Sequence, residues 1–134
     1  MSAIELVIPK GMQNIYDQKR YAPGVRAGDL LFVSGMLGRD KDLNVIADPE
    51  AQFAQVFENT RLVLNAAGCD FADVVEFVGY FTALRRDFAL FQKVKDRYVT
   101  RDFPAQTAIG VVELSTPGLL VELKVVALIP EGRR

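Results

Sequence analysis

The chain has 134 residues, 50% of them apolar and 25% charged, with 16 Lys and Arg against 17 Asp and Glu. That length makes one domain, residues 1–134, which buries roughly two-thirds of the surface its unfolded chain exposes. A net charge of −1 supplies no global field for nucleic acid or anionic lipid. One cysteine and no histidine exclude an internal disulfide, zinc sites built on Cys and His, and Ser-His-Asp or Cys-His catalysis.

Any general base must then be a carboxylate, a Lys, a Tyr or a backbone group, and no metal site or cofactor is expected. The opening residues MSAIELVIPKG lack a basic stretch followed by a long apolar run, so no secretory signal is read. No run approaches 18 uncharged apolar residues, so no membrane contact is expected and the expected location is the cytoplasm.

Along the chain, residues 4–8 form a short apolar run before Pro9 and Gly11, which suits an edge strand. Residues 11–29 mix Gly, Asn, Asp, Pro and aromatics, and read as ordered loop with short extended pieces. Residues 30–36, Leu-Leu-Phe-Val-Ser-Gly-Met, are β-branched and aromatic enough for a strand. The turn over residues 38–42 then predicts a hairpin to a strand at residues 43–46. Asp48 is a good N-cap with Pro49 at the first helical position. Phe53, Val56, Phe57, Thr60, Val63, Leu64 and Ala67 recur at helical spacing, and Gly68 supplies the stop.

Residues 74–82 read as a strand. Asp87 is expected to cap a second helix through about Tyr98, and residues 106–113 and 119–129 complete the strands around a turn at residues 115–118. The order is β-β-β-α-β-α-β-β, an α+β two-layer domain with a mixed sheet and two helices on one face. In the last strand the odd positions Val121, Leu123, Val125, Ala127 and Ile129 are apolar. The even positions Glu122, Lys124, Val126 and Leu128 mix charge with apolar groups, a surface that suits a subunit interface or a cleft.

The run Tyr21-Ala22-Pro23-Gly24-Val25-Arg26-Ala27-Gly28-Asp29-Leu30-Leu31-Phe32-Val33-Ser34-Gly35 resembles the opening block of the Rid family (YjgF type, reactive-intermediate deaminases). Ala66-Ala67-Gly68-Cys69 with Asp73-Val74-Val75 resembles its helix-to-strand junction. Phe103-Pro104-Ala105 and Val121-Glu122-Leu123 resemble its two closing motifs. The likeness runs over about residues 20–130 and is nearest to the YjgH-like subgroup. It implies a chorismate-mutase-like (YjgF-type) fold, assembled as a homotrimer with a central barrel and ligand sites in the clefts between subunits. It also implies hydrolysis of enamines and imines to a 2-keto acid and ammonia.

By the same resemblance Tyr21 corresponds to a cleft tyrosine, Ser34 and Gly35 to the site strand, and Glu122 to the residue that positions the attacking water. Gln106 and Thr107 fall in the substrate-binding motif, where deaminases carry an arginine at position 106. Ala108 stands for the family's usual cysteine, Met36 for glutamine and Gln92 for asparagine. An arginine fork grips a carboxylate through two parallel charged hydrogen bonds. Removing one member of such a buried pair costs about 3–5 kcal/mol, roughly two to four decades of affinity. Arg101 and Lys124 are the cations considered as replacements, against plainer readings as a solvated helix-end charge and an interface ion pair. Glu122 has a plainer reading as a hydrogen-bonding group at a subunit seam, and Tyr21 as loop packing. Ser34 has no histidine to activate it and is read as a hydrogen-bonding group.

Two functions follow. One is an enzyme hydrolysing a small imine or related nitrogen compound, with Gln106 selecting a ligand that lacks the carboxylate. The other is a non-catalytic trimer binding a small metabolite. A third, endoribonuclease or translation inhibition, is a label the family has also carried. The absence of basic excess, of histidine and of a base-stacking motif argues against it and against a nucleic-acid partner.

Overall fold

The computed structural model describes residues 3–133. Six strands form one mixed sheet: β1 (Ile4–Val7), β2 (Gly24–Ala27), β3 (Leu30–Leu37), β4 (Val74–Phe81), β5 (Ala105–Gly110) and β6 (Val121–Leu128). Their spatial order is β1-β2-β3-β6-β4-β5. All neighbours are antiparallel except β4 and β5, which run parallel because helix α2 (Leu84–Lys95) crosses between them. Helix α1 (Pro49–Ala66) joins β3 to the second half of the chain.

The first helix forms as its sequence demands. Asp48 accepts a hydrogen bond from Ala51 N at 2.9 Å. At the other end Gly68, at φ +79°, lets Cys69 N reach Leu64 O and Gly68 N reach Asn65 O, a Schellman stop. Phe53, Val56, Phe57, Thr60, Val63 and Leu64 are all fully buried against the sheet. The odd residues of β6 meet them from below, with Val121, Val125 and Ala127 completely enclosed, as is Ile129 just past the strand. Aromatic rings tie α1 to α2 and to the segment after it: Phe57 lies 5.3 Å from Phe91 of α2 and stacks on Tyr98, beyond its end, at 5.0 Å.

Four local expectations are corrected. Residues 43–46 do not pair as a strand; a single bridge joins Arg39 to Val45. Asp40 Oδ1 accepts from both Asp42 N and Asn44 N at 2.9 Å, and Leu43 adopts φ 67°. This curls the segment too tightly for a ladder. The third strand is instead β2, a short extended piece within the stretch read as ordered loop with such pieces, where Gly24 lets the backbone approach α1: a Cβ there would stand 2.7 Å from Val63 Cγ1.

Asp87 is not a cap. Its N–H already bonds Ala83 O, so the helix has begun, and its buried carboxylate takes two hydrogen bonds from Arg86. The helix ends at Lys95, before Tyr98. Finally, β5 spans Ala105–Gly110 and stops short of residue 113, because its parallel partner β4 runs out opposite Gly110 at Phe81.

One buried amide locks the layers. Gln52 donates to Ile46 O and Gly118 O, and accepts from Leu120 N at 2.7 Å, so all three groups are satisfied inside the protein. Across the sheet from the helices, the face carrying Glu122 and Lys124 stays open. Phe32, Ile109 and Leu128 on that face are 39%, 42% and 40% exposed.

Candidate functional site

The sheet is irregular where β3 meets β6. Val33 pairs with Val125 and Met36 with Leu123, so Ser34 and Gly35 together face Lys124. Such a bulge re-aims side chains and bends its strand. Ser34 Oγ donates to Ala22 O at 2.6 Å, and Ser34 N donates to Pro23 O at 2.9 Å. Those two bonds hold the Tyr21-Ala22-Pro23 segment against the bulge. The Ser34 hydroxyl proton is thereby committed to the Ala22 carbonyl, beside Tyr21 in the chain.

Gly35 makes room for the neighbouring strand. A Cβ at that position would overlap Oε2, Cδ and Cγ of Glu122. The Glu122 carboxylate therefore rests directly on the Gly35 backbone, half-buried. No larger residue leaves it there.

Gly35 and Tyr21 also line a cavity of about 280 Å³. Its floor is apolar, from Met12, Ile15, Met36 and Leu43, and its rim is polar. Arg39, at the exit of β3, is buried to 7% exposure and donates from Nη2 to Tyr21 Oη at 3.2 Å. Asn59 of α1 donates to both Leu37 O and Arg39 O, which pins this exit to the helix. Asn14 donates to Lys41 O from the other side. Asp40 is drawn away into its own turn, where the Asn44 N–H holds its carboxyl below the usual carboxylate range.

The remaining expected residues sit elsewhere in the chain. Gln106 and Thr107 lie on β5, three strand steps from β3, roughly 14 Å at ~4.8 Å per step. Thr107 is beside Val78, which pairs with Lys124, so it shares the open face with Glu122. Gln106 pairs with Phe77 and faces the helices instead. There Lys95 Nζ donates to Gln106 Oε1 and lies 5.8 Å from the centre of the Phe77 ring. Burial pushes the Lys95 ammonium below its ordinary value. Of the two cations considered for the vacant charge, Lys124 stands over the Phe32 ring at 5.9 Å. Arg101 is exposed in a separate groove beside Arg61 and Tyr98.

The structure thus brings Tyr21, Ser34, Gly35 and Glu122 together and leaves Gln106 and Thr107 apart within one chain. Arg39, Asn14, Asn59 and Lys95 were not singled out from sequence. Arg39 stood in a run of turn residues, and nothing in that run announces a buried guanidinium.

The family model described as Endoribonuclease L-PSP matches residues 12–129. A RutC family protein of Escherichia coli K12, YjgH, is 36% identical over 126 residues, spanning 93% of this chain and 95% of its own. The chain belongs to the YjgF/Rid/RutC family and is YjgH-like. A solved structure of protein YjgH superposes with a TM-score of 0.90 at 35% identity, covering 97% of this chain and 99% of that one. Rv2704 of Mycobacterium tuberculosis, a member of the YjgF/YER057c/UK114 family, gives a TM-score of 0.79 at 26% identity, covering 94% and 99%. A RutC family protein of Saccharolobus solfataricus is 35% identical over 109 residues, 80% of this chain and 85% of its own. The α+β fold expected from the sequence is therefore the family's fold. Among the described residues, no helix is long and apolar enough to cross a membrane.

Proposed function

We propose that this Rid-family protein binds a small metabolite in the cavity beside Glu122 and hydrolyses a C=N bond there. The observation that carries this reading is the Glu122 carboxylate seated on Gly35, a residue that together with Tyr21 lines the cavity, which Glu122 itself does not line. In the proposed step a water attacks the imine carbon while Glu122 takes its proton. Starting from the protonated imine, Glu122 returns that proton to the carbinolamine nitrogen, and ammonia leaves as the hydroxyl proton passes back to Glu122, leaving a carbonyl. A positioned general base contributes roughly 10²–10⁴ in rate.

The proposal places the working protein in the cytoplasm as a homotrimer, with no cofactor. Support for an assembly comes from the open face, where exposed Phe32, Ile109 and Leu128 surround two charged side chains. Burial of that face in a trimer would also carry Thr107 and Lys124 into the clefts between subunits. RNA cleavage is set aside on a net charge of −1 and the absence of histidine.

A second, non-catalytic reading is favoured by one observation: Gln106 supplies no charge and its carbonyl is occupied by Lys95. The two readings separate when the protein is mixed with freshly generated 2-iminopropionate. Ammonia release above the buffer rate supports the enzyme. A ligand-dependent rise in melting temperature without product supports the binder.

A further inference from the structure

Arg39 is a buried cation without a counter-charge. It is only 7% exposed, yet among the described residues no carboxylate lies within ion-pair distance of it. Its guanidinium has five N–H donors, and its one side-chain hydrogen bond goes to Tyr21 Oη. Asp40, the adjacent acid, spends its carboxylate on Asp42 N, Asn44 N and Asn44 Nδ2. Burying a charge is expensive unless it is paired and hydrogen-bonded. Arg39 lines the 280 Å³ cavity.

The rest of the lining narrows the partner. Lys10 and Lys41 join Arg39 against the single acid Asp40, so the local balance is positive. Tyr21 Oη accepts from Arg39, and that bond does not use the tyrosine's own proton. Asn14 Oδ1 is buried on the same wall with no donor, an acceptor that asks for an N–H. The floor is apolar.

We propose that Arg39 is the anion anchor of this cavity and that it takes the carboxylate of a small molecule bearing an apolar body and an N–H donor. Arg39 would grip the carboxylate bidentately, Tyr21 would add a hydrogen bond, and Asn14 would receive the N–H. This deepens the reading above, resting on its cavity but not on its hydrolytic step. It also reverses the expectation that Gln106 selects ligands without a carboxylate: the charge missing from position 106 is supplied from the exit of β3.

Calorimetric titration with three probes tests this: 4-methylpentanoate, its neutral isostere 4-methylpentanamide, and L-leucine. The wild type should bind the carboxylate roughly a hundredfold more tightly than the amide, and L-leucine more tightly than 4-methylpentanoate. Arg39→Gln should erase the preference for the acid, and Arg39→Lys should restore part of it, since charge without the fork is a weaker grip. If Arg39→Gln does not fold, the wild-type ratio of acid to amide decides alone. Equal affinity for acid and amide, or inorganic phosphate binding as tightly as 4-methylpentanoate, overturns the proposal. Carboxylate binding without turnover of any imine would sink hydrolysis and leave this anchor standing. Turnover with no preference for the acid would do the reverse.

Discussion

Gly35→Ala is the smallest change that should disable the site without disturbing the fold. The backbone at Gly35 does not need positive φ, so alanine brings no conformational strain. Its Cβ, however, would stand 2.6 Å from Glu122 Cδ and 2.7 Å from Cγ, and closer still to Oε2. Ordinary contact begins near 3.4 Å, so the carboxyl carbon must retreat by about 0.8 Å. A displacement near 1 Å at a reacting centre costs on the order of 10²-fold in rate, about 2.7 kcal/mol. Because Glu122 is half-buried on the open face and its side chain can swing outward, the stability cost should stay below about 1.5 kcal/mol. The assay is ammonia release from a freshly generated imine, measured beside a thermal melt. Combining Gly35→Ala with Glu122→Gln should be no worse than Glu122→Gln alone, since both remove one carboxylate from one place. Full activity in Gly35→Ala would refute the argument that this glycine exists to seat Glu122.

Three further outcomes follow from the geometry. Gln52→Leu keeps the volume but strands Ile46 O, Gly118 O and Leu120 N; at about 1–3 kcal/mol per orphaned group, a urea melt should lose at least 2 kcal/mol, and an unchanged midpoint would mean these groups find other partners. Phe32→Glu adds a charge to the open face; light scattering should show the proposed trimer giving way to the 14.9 kDa chain, and an unchanged mass would place the interface elsewhere. Lys95 is held below its ordinary value of 10.5, first by burial. The unfolded chain therefore binds more protons than the folded one between the lowered value and 10.5. The stability penalty is full below that window and is relieved as pH rises through it. Lys95→Met should flatten this rise relative to wild type, as read from melts between pH 8 and about 11; identical pH profiles would contradict the burial.

The fold was legible because its strongest signals were local or periodic. The Asp48-Pro49 start, the apolar stripe of α1 and the Gly68 stop decide that helix without tertiary help. The alternation in β6 names its buried face directly. What misled was chemistry acting across the chain. Residues 24–27 could be read only as an unplaced extended piece in a loop, because β2 is four residues long and depends on both of its neighbours for pairing. Asp40 turns the segment expected to extend, and Asp87 is claimed by Arg86 after the helix has begun.

The site divides in the same way. Ser34 and Gly35 lie on a strand readable from sequence, and the family motif brings Glu122 with them. The contact between Gly35 and Glu122 arises from a bulge that no spacing reveals. Arg39 was invisible for a related reason. Its burial comes from α1 and the 10–21 loop closing over it, through Asn59 and Tyr21, which are distant in sequence.

The central claim is that Glu122 handles water where it rests on Gly35, at the border of this cavity. Its most direct test is the rate of ammonia release from 2-iminopropionate by wild type and by Glu122→Gln, which keeps the shape and removes the base. The account predicts turnover by the wild type and a loss of at least roughly 10²-fold in the variant, with the melt unchanged. Equal rates in the two proteins, or no wild-type turnover above buffer, would contradict it.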